Sequence, residues 1–273
     1  MSIIVAWAGR DNHGTTSAYI VADSRVSWAG KKEKYDACRK VFCSKKYPEI
    51  IGYCGDVLFP SIVINQIVEI IDSGLFFHSE DDCRKRFDVF KNKLISEFEK
   101  YPQDSLITSD AFEVVYINRE IGSKNYLSFN CYSISWSRTR KWKVRTILMP
   151  VTSGVLIVFG SGREYFNLVH DKVLQKSKNG TSRAIFHSFI QTLTTTSDDT
   201  YSGPPQLVGL YRMPGSCGRN YGIIFNRKRY ILGTQVKRAK NCDVIEWRNK
   251  YFEICNGNSK QKLTGAANQQ YSL

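Results

Sequence analysis

Residues 2–23 read SIIVAWAGRDNHGTTSAYIVAD, and the architecture of the chain follows from them. Both ends of this stretch are apolar and rich in β-branched side chains, which is typical of buried strands. The turn formers at 9–14 separate the two ends, so the stretch predicts an antiparallel hairpin. Pairing about the middle of that turn places Ser2, at the start of the first strand, opposite Asp23, at the end of the second.

Beyond the hairpin, blocks of predicted strands alternate with pairs of predicted helices. Apolar residues recur with helical spacing over 56–75, over 79–100, over 163–175, and in a segment that Thr181 or Ser182 caps. The predicted strands are 40–43, 49–55, 111–118, 126–137, 142–149, 155–159, 206–212, 221–225, 229–233, 244–247 and 251–255. Because each helix pair can cover one of two sheets, we expect the α+β class and a four-layer αββα sandwich.

The length of 273 residues allows one large domain or two small ones. No linker or composition break separates the blocks, so we expect a single domain. Its αββα core would cover residues 1–213. Residues 214–273 would form a strand-rich extension packed on the same domain, with a polar tail from about residue 257.

The chain is strongly basic, with 39 Lys and Arg against 25 Asp and Glu and a net charge of +14. This excess permits a nucleic-acid-binding protein, with basic runs at 138–145, 227–229 and 237–240. These runs lie at predicted strand ends and turns, where solvated charge is the ordinary explanation. We therefore do not expect nucleic acid to be the main partner.

Several other classes of protein are disfavoured. The chain has no run of 18 apolar residues, so we expect no membrane span. The apolar stretch near the N-terminus has no basic segment before it, which disfavours a signal peptide, and we therefore expect a cytoplasmic protein. None of the eight cysteines forms a CxxC pair and the four histidines show no metal-ligand spacing. We expect free or buried thiols, no metal and no cofactor.

Five short motifs carry a resemblance to a known family: VADSR at 21–25, RKVF at 39–42, GYCGD at 52–56, GSG at 160–162 and DTYSG at 199–203. Together with the helix pairs in the matching gaps, they resemble proteasome β subunits and their bacterial peptidase relatives, which are N-terminal-nucleophile hydrolases. The resemblance covers about residues 2 to 213. It implies a peptide or protein substrate, a homo-oligomer that can close into a ring, and an unfoldase or regulatory partner.

The resemblance also implies a set of site residues. Ser2, exposed by removal of Met1, would be the nucleophile, and its α-amino group would manage the proton because it titrates near neutrality. Asp23 and Lys40 would orient and activate the hydroxyl, and the N–H of Gly55 would stabilise the oxyanion. The residues expected to support the terminal amine are Ser161, Asp199 and Ser202. The residues expected to form the substrate pocket are Val26, Cys38, Tyr53 and Val57.

Alternative interpretations remain open. Thr15 follows a glycine, as in a proteasome precursor, but a hairpin from Thr15 to Asp23 would have to turn at Tyr19, inside an apolar strand. On the same fold the chain could be a small-molecule amidohydrolase, because fold does not determine substrate, or an inactive assembly subunit. The segment after Met213 is longer than the family core and puts ring assembly in question.

Overall fold

The computed structural model describes residues 2–28, 32–102, 110–121, 127–177, 180–196, 198–237, 242 and 244–266. Met1, the predicted strand residue Tyr126, residues 238–240 of the basic run and the end of the polar tail lie outside these ranges. Within them the helices are α1 (Leu58–Ser73), α2 (Cys83–Lys100), α3 (Arg163–Ser177) and α4 (Ser182–Thr195).

The strands follow the predicted order, with β1 (Ile3–Asp11) and β2 (Gly14–Ala22) forming the first hairpin. The other strands are β3 (Val26–Ser27), β4 (Lys34–Tyr35), β5 (Val41–Cys43), β6 (Glu49–Gly55), β7 (Ala111–Arg119), β8 (Phe129–Ser137), β9 (Lys141–Ile147), β10 (Gly154–Gly160), β11 (Gln206–Tyr211), β12 (Arg219–Phe225), β13 (Lys228–Ile231), β14 (Thr234–Gln235), β15 (Trp247–Arg248) and β16 (Ile254–Cys255). The short strands β3, β4 and β14, of two residues each, were not predicted.

Two sheets carry most of these strands. The first sheet has the order β10-β1-β2-β11-β12-β13-β14, and β15 and β16 join it through β12. The second sheet has the order β5-β6-β7-β8-β9. The strands of the predicted extension thus continue the first sheet from β11 outward. The division into a core of residues 1–213 and an extension of residues 214–273 stays a prediction.

Three apolar cores separate four layers, and the predicted αββα sandwich is confirmed. Helices α1 and α2 pack on the second sheet around residues such as Phe59 and Phe87. Helices α3 and α4 pack on the first sheet around Trp7 and Phe189. Between the sheets lies a third core of mostly aliphatic side chains, including Ile20. No helix in the described ranges is long and apolar enough to cross a membrane.

The ends of three helices can be compared with the prediction, and one predicted start is wrong. Helix α2 begins at Cys83, not Ser79, because the Asp82 carboxylate accepts a hydrogen bond of 2.7 Å from Lys85 N and caps the helix. Helix α1 ends at Ser73 and is followed by Gly74, whose φ of 79° provides the left-handed cap that the sequence predicts. Helix α4 is capped by Thr181, one of the two residues considered.

The predicted register of the first hairpin is wrong by one residue. Near the turn Arg10 lies opposite Thr15, as expected, but the next pair is Gly9 with Ser17. Thr16 is therefore an extra residue in β2, a β-bulge, and every later pair is shifted. As a result Ile3, not Ser2, is the hydrogen-bonded neighbour of Asp23, whose N–H donates to Ile3 O over 3.2 Å.

Candidate active site

Ser2 and Lys40 join the two sheets at one buried contact. Ser2 immediately precedes β1 in the first sheet, and Lys40 immediately precedes β5 in the second. Lys40 Nζ donates a hydrogen bond of 2.8 Å to Ser2 Oγ. The Lys40 side chain is 0% exposed, which requires that its charge be compensated by the protein.

Asp23 and Arg25 supply that compensation. Lys40 Nζ lies 2.9 Å from Asp23 Oδ1 and 2.6 Å from the carbonyl oxygen of Arg25. Counting Ser2 Oγ, three acceptors surround the ammonium group, which has three N–H donors. The lysine is thus held as a donor toward the Ser2 hydroxyl.

The Asp23 carboxylate accepts hydrogen bonds from backbone N–H groups of three segments. Its Oδ1 accepts from Ile3 N at 3.0 Å. Its Oδ2 accepts from Arg25 N at 3.1 Å and from Ser202 N at 3.3 Å. Since the carboxylate is fully buried, these hydrogen bonds satisfy its lone pairs and fix the start of β1 beside Lys40.

Gln206 is a supporting residue that the sequence did not single out. This fully buried side chain, at the start of β11, accepts from Lys40 N at 3.0 Å and donates to Asp23 O at 3.0 Å. It therefore connects the backbones of the two charged residues. The only sequence signal is a polar residue opening the otherwise apolar strand QLVGLY.

Two glycines shape the backbone around Ser2. Gly55 ends β6 with φ of 99°, and a Cβ there would overlap the carbonyl oxygen of Ala111. Gly160 ends β10 with φ of 91°, and a Cβ there would overlap the carbonyl oxygen of Ser2. Both conformations favour glycine, so both positions are constrained in conformation and in space.

The three predicted supporting residues lie in different surroundings. Ser161 Oγ is 3.1 Å from Thr200 Oγ1. Ser202 reaches the site through its backbone: its N–H donates to Asp23, and its carbonyl oxygen accepts from Arg25 N.

Asp199 is placed differently from the expectation. Its carboxylate, 79% exposed, forms ion pairs with Lys34 at 2.7 Å and Arg25 at 3.6 Å. The hydrogen bond from Lys34 is the main cause of the lowered pKa of Asp199. The structure therefore brings Ser2, Asp23 and Lys40 together and leaves the Asp199 side chain outside their network.

A cleft of about 520 Å³ opens at Ser2. Gly55, Gly160 and Ser161 lie on its wall next to the nucleophile candidate. The four residues predicted to form the substrate pocket do not line this cleft: Val26, Cys38, Tyr53 and Val57.

Tyr53 shows the reason for this correction. Its ring packs in the core beneath α1, and its hydroxyl donates to Arg39 O over 3.0 Å. Side chains alternate along a strand, so its neighbour Cys54 faces the cleft instead. Burial raises the pKa of the Cys54 thiol well above its usual value, and burial also raises that of Cys38.

Within the described part of the chain, no group of three or more His, Cys, Asp and Glu residues is arranged to hold a metal ion. All eight cysteines are free. Ser2 Oγ contacts a lysine that is ion-paired with a carboxylate, an arrangement suited to activating a hydroxyl.

Comparison with known proteins gives a result at the level of fold. No family model matches the chain, and no curated protein matches it. Among solved structures, an Anbu mutant from Hyphomicrobium sp. strain MC1 is 13% identical, with a TM-score of 0.52 over 81% of this chain and 87% of that one. Anbu, described as an ancestral beta-subunit, from Yersinia bercovieri is 10% identical, with a TM-score of 0.50 over 84% of this chain and 87% of that one. The chain therefore has the four-layer fold of the N-terminal-nucleophile hydrolases and resembles their proteasome-like members.

Proposed function

We propose that this chain hydrolyses amide bonds with Ser2 as its N-terminal nucleophile, as a proteasome-like peptidase. The observation that carries the proposal is the buried contact of Ser2 Oγ with Lys40 Nζ at 2.8 Å, in a lysine that is ion-paired with Asp23. Burying an ion pair has a desolvation cost, so a buried pair beside a hydroxyl that lines a cleft marks a candidate functional site.

The chemistry follows from the donors around Ser2. Because Lys40 donates to Oγ, the hydroxyl proton must leave to another base, and the α-amino group of Ser2 is the neighbouring candidate once Met1 is removed. Oγ attacks the substrate carbonyl carbon, and the N–H of Gly55 stabilises the resulting oxyanion. The proton passes to the leaving amine as the C–N bond breaks. Water then cleaves the acyl-serine ester, which releases the acid and restores the hydroxyl.

Intact-protein mass spectrometry combined with covalent trapping tests this proposal. The purified protein should lack one methionine, and a peptide vinyl sulfone should add to the fragment that begins at Ser2. The Ser2→Ala protein should show no adduct. Full activity in a protein that retains Met1 would contradict the mechanism.

The proposal includes assembly with further copies of the chain. The Anbu structure described as an ancestral beta-subunit supports this part, since it has the same fold. Exposed apolar side chains near β9 and β10, Leu148 at 85% and Val151 at 86%, are also available for contact with another surface. Sedimentation velocity of the full chain measures the assembly directly; a monomer at all concentrations would contradict it.

A further inference from the structure

The cleft at Ser2 has a floor built from one face of the second sheet. In the cross-strand register Cys54 pairs with Glu113, Glu113 with Ser135, and Ser135 with Lys143. Paired residues share a face of a sheet, so this row runs from the strand beside Gly55 to the outer strand β9. All four residues line the cleft.

Neighbouring rows on the same face have the same character. Ser133 lies opposite Arg145, and Ser137 lies opposite Lys141. Deeper between the sheets this face is apolar, with Cys131 opposite Ile147. The face thus changes from apolar to hydroxyl-bearing and cationic as it emerges from the core toward Ser2.

The charged residues that line the cleft are mostly positive. Five of its lining residues are cationic: Arg140, Lys141, Lys143, Arg145 and Arg163. Among the described residues that line it, Glu113 is the only acidic one. Burial raises the pKa of the Glu113 carboxyl, which opposes its ionisation, although Arg145 and Arg163 act in the other direction.

A basic outer strand also has a structural explanation, because lysines protect the edge of a sheet against pairing with other chains. Edge protection applies only to β9, whose cations at alternate positions 141, 143 and 145 share the face that lines the cleft, while Trp142 packs against the core under α2. Arg163, on α3 of the opposite side, adds a cation from another layer.

We propose that this cleft selects peptides with Asp or Glu side chains next to the scissile bond. The carboxylates of these side chains bind Lys143 and Arg145, and other polar groups of the peptide bind Ser133 and Ser135. This inference rests on the proposed hydrolase function and assigns its substrate class. Clefts lined by charges of one sign concentrate ligands of the opposite sign.

The test compares fluorogenic peptides that differ only in Glu, Gln or Lys at the positions flanking the cleaved bond. With the processed wild-type protein, kcat/KM for the Glu peptide should exceed that for the Gln peptide about tenfold and fall steeply with added salt. In the double variant Lys143→Gln with Arg145→Gln, the Glu/Gln ratio should fall to about one. The double variant Lys85→Gln with Lys172→Gln, which removes two charges from exposed positions on α2 and α3, should keep the wild-type ratio.

The outcomes separate this inference from the proposed function. Hydrolysis of all three peptides at similar rates, or a preference that survives in the double variant of Lys143 and Arg145, would overturn the acidic selectivity and leave the hydrolase intact. If no peptide is cleaved, the hydrolase proposal fails. Binding of the labelled Glu and Gln peptides to the Ser2→Ala protein, measured by fluorescence anisotropy, then tests the charge selectivity of the cleft separately. Equal binding of the two peptides, or displacement of the Glu peptide by a short RNA at physiological salt, would also overturn it.

Discussion

Gly160 faces the carbonyl oxygen of Ser2 so closely that no side chain fits between them. Gly160→Ala should therefore push Ser2 away from Lys40 and strain a backbone with φ of 91°. We expect a loss of about 3 kcal/mol in the free energy of unfolding and loss of activity.

Gly215→Ala is the matched control, because Gly215 also has positive φ, 72°, but a Cβ there meets nothing within 4 Å. It should cost about 1 kcal/mol and keep activity. Urea unfolding and peptide hydrolysis measure both variants; equal effects of the two alanines would refute the role assigned to the Ser2 contact.

Substitutions that remove the Lys40–Asp23 ion pair should affect both stability and activity. Lys40→Ala leaves a buried carboxylate with only its backbone donors, so we expect a loss of about 3 kcal/mol in stability. Combining Lys40→Met with Asp23→Asn removes both charges and should recover part of this loss while the protein stays inactive. Lys93→Ala, which breaks an exposed pair with Glu97, should cost less than about 1 kcal/mol.

Substitutions at Ser2 separate the hydroxyl from the rest of the site. Ser2→Ala should lower kcat at least about a thousandfold, because the nucleophile is absent. Ser2→Thr keeps a hydroxyl and should retain activity within about tenfold. Steady-state kinetics on one amide substrate checks both, after mass spectrometry has shown equal processing. An active Ser2→Ala protein would place the nucleophile elsewhere.

Thiol chemistry distinguishes this site from one that uses cysteine. Burial raises the pKa of the Cys54 and Cys38 thiols, so at neutral pH both are protonated and poorly nucleophilic. Iodoacetamide at pH 7 should therefore leave activity unchanged, and alkylation of these residues should increase only as the pH rises toward their shifted pKa values. Peptide mapping after timed exposure measures this. Rapid modification of Cys54 at pH 7 would contradict the raised pKa of this thiol.

Local patterns in the sequence predict the layers of this fold well. The hairpin 2–23, the helix pairs and the glycine exit at Gly74 depend on periodicity and backbone preference within short segments. The proximity of Ser2, Asp23 and Lys40 could be expected from the family motifs, and the structure brings them together.

Features that depend on tertiary contacts could not be predicted in the same way. Tyr53 and Cys54 are both apolar enough for either face of β6, so the sequence alone did not determine which faces the cleft. Gln206 supports Lys40 from a strand 166 residues away, and nothing in the local pattern reveals that contact. Asp199 belongs to one of the family motifs, but its side chain forms ion pairs with Lys34 and Arg25, which are distant in sequence.

The β-bulge at Thr16 has a consequence for how relatives of this chain can be recognised. A chain without that residue would form a regular hairpin and still place Ile3 beside Asp23, because the bulge only absorbs one extra position. The number of residues between the nucleophile and the acidic side chain is therefore free to vary by one without altering the site. A sequence pattern that demands a fixed spacing between them would discard proteins with the same chemistry, whereas one that allows a single gap in the second strand would retain them.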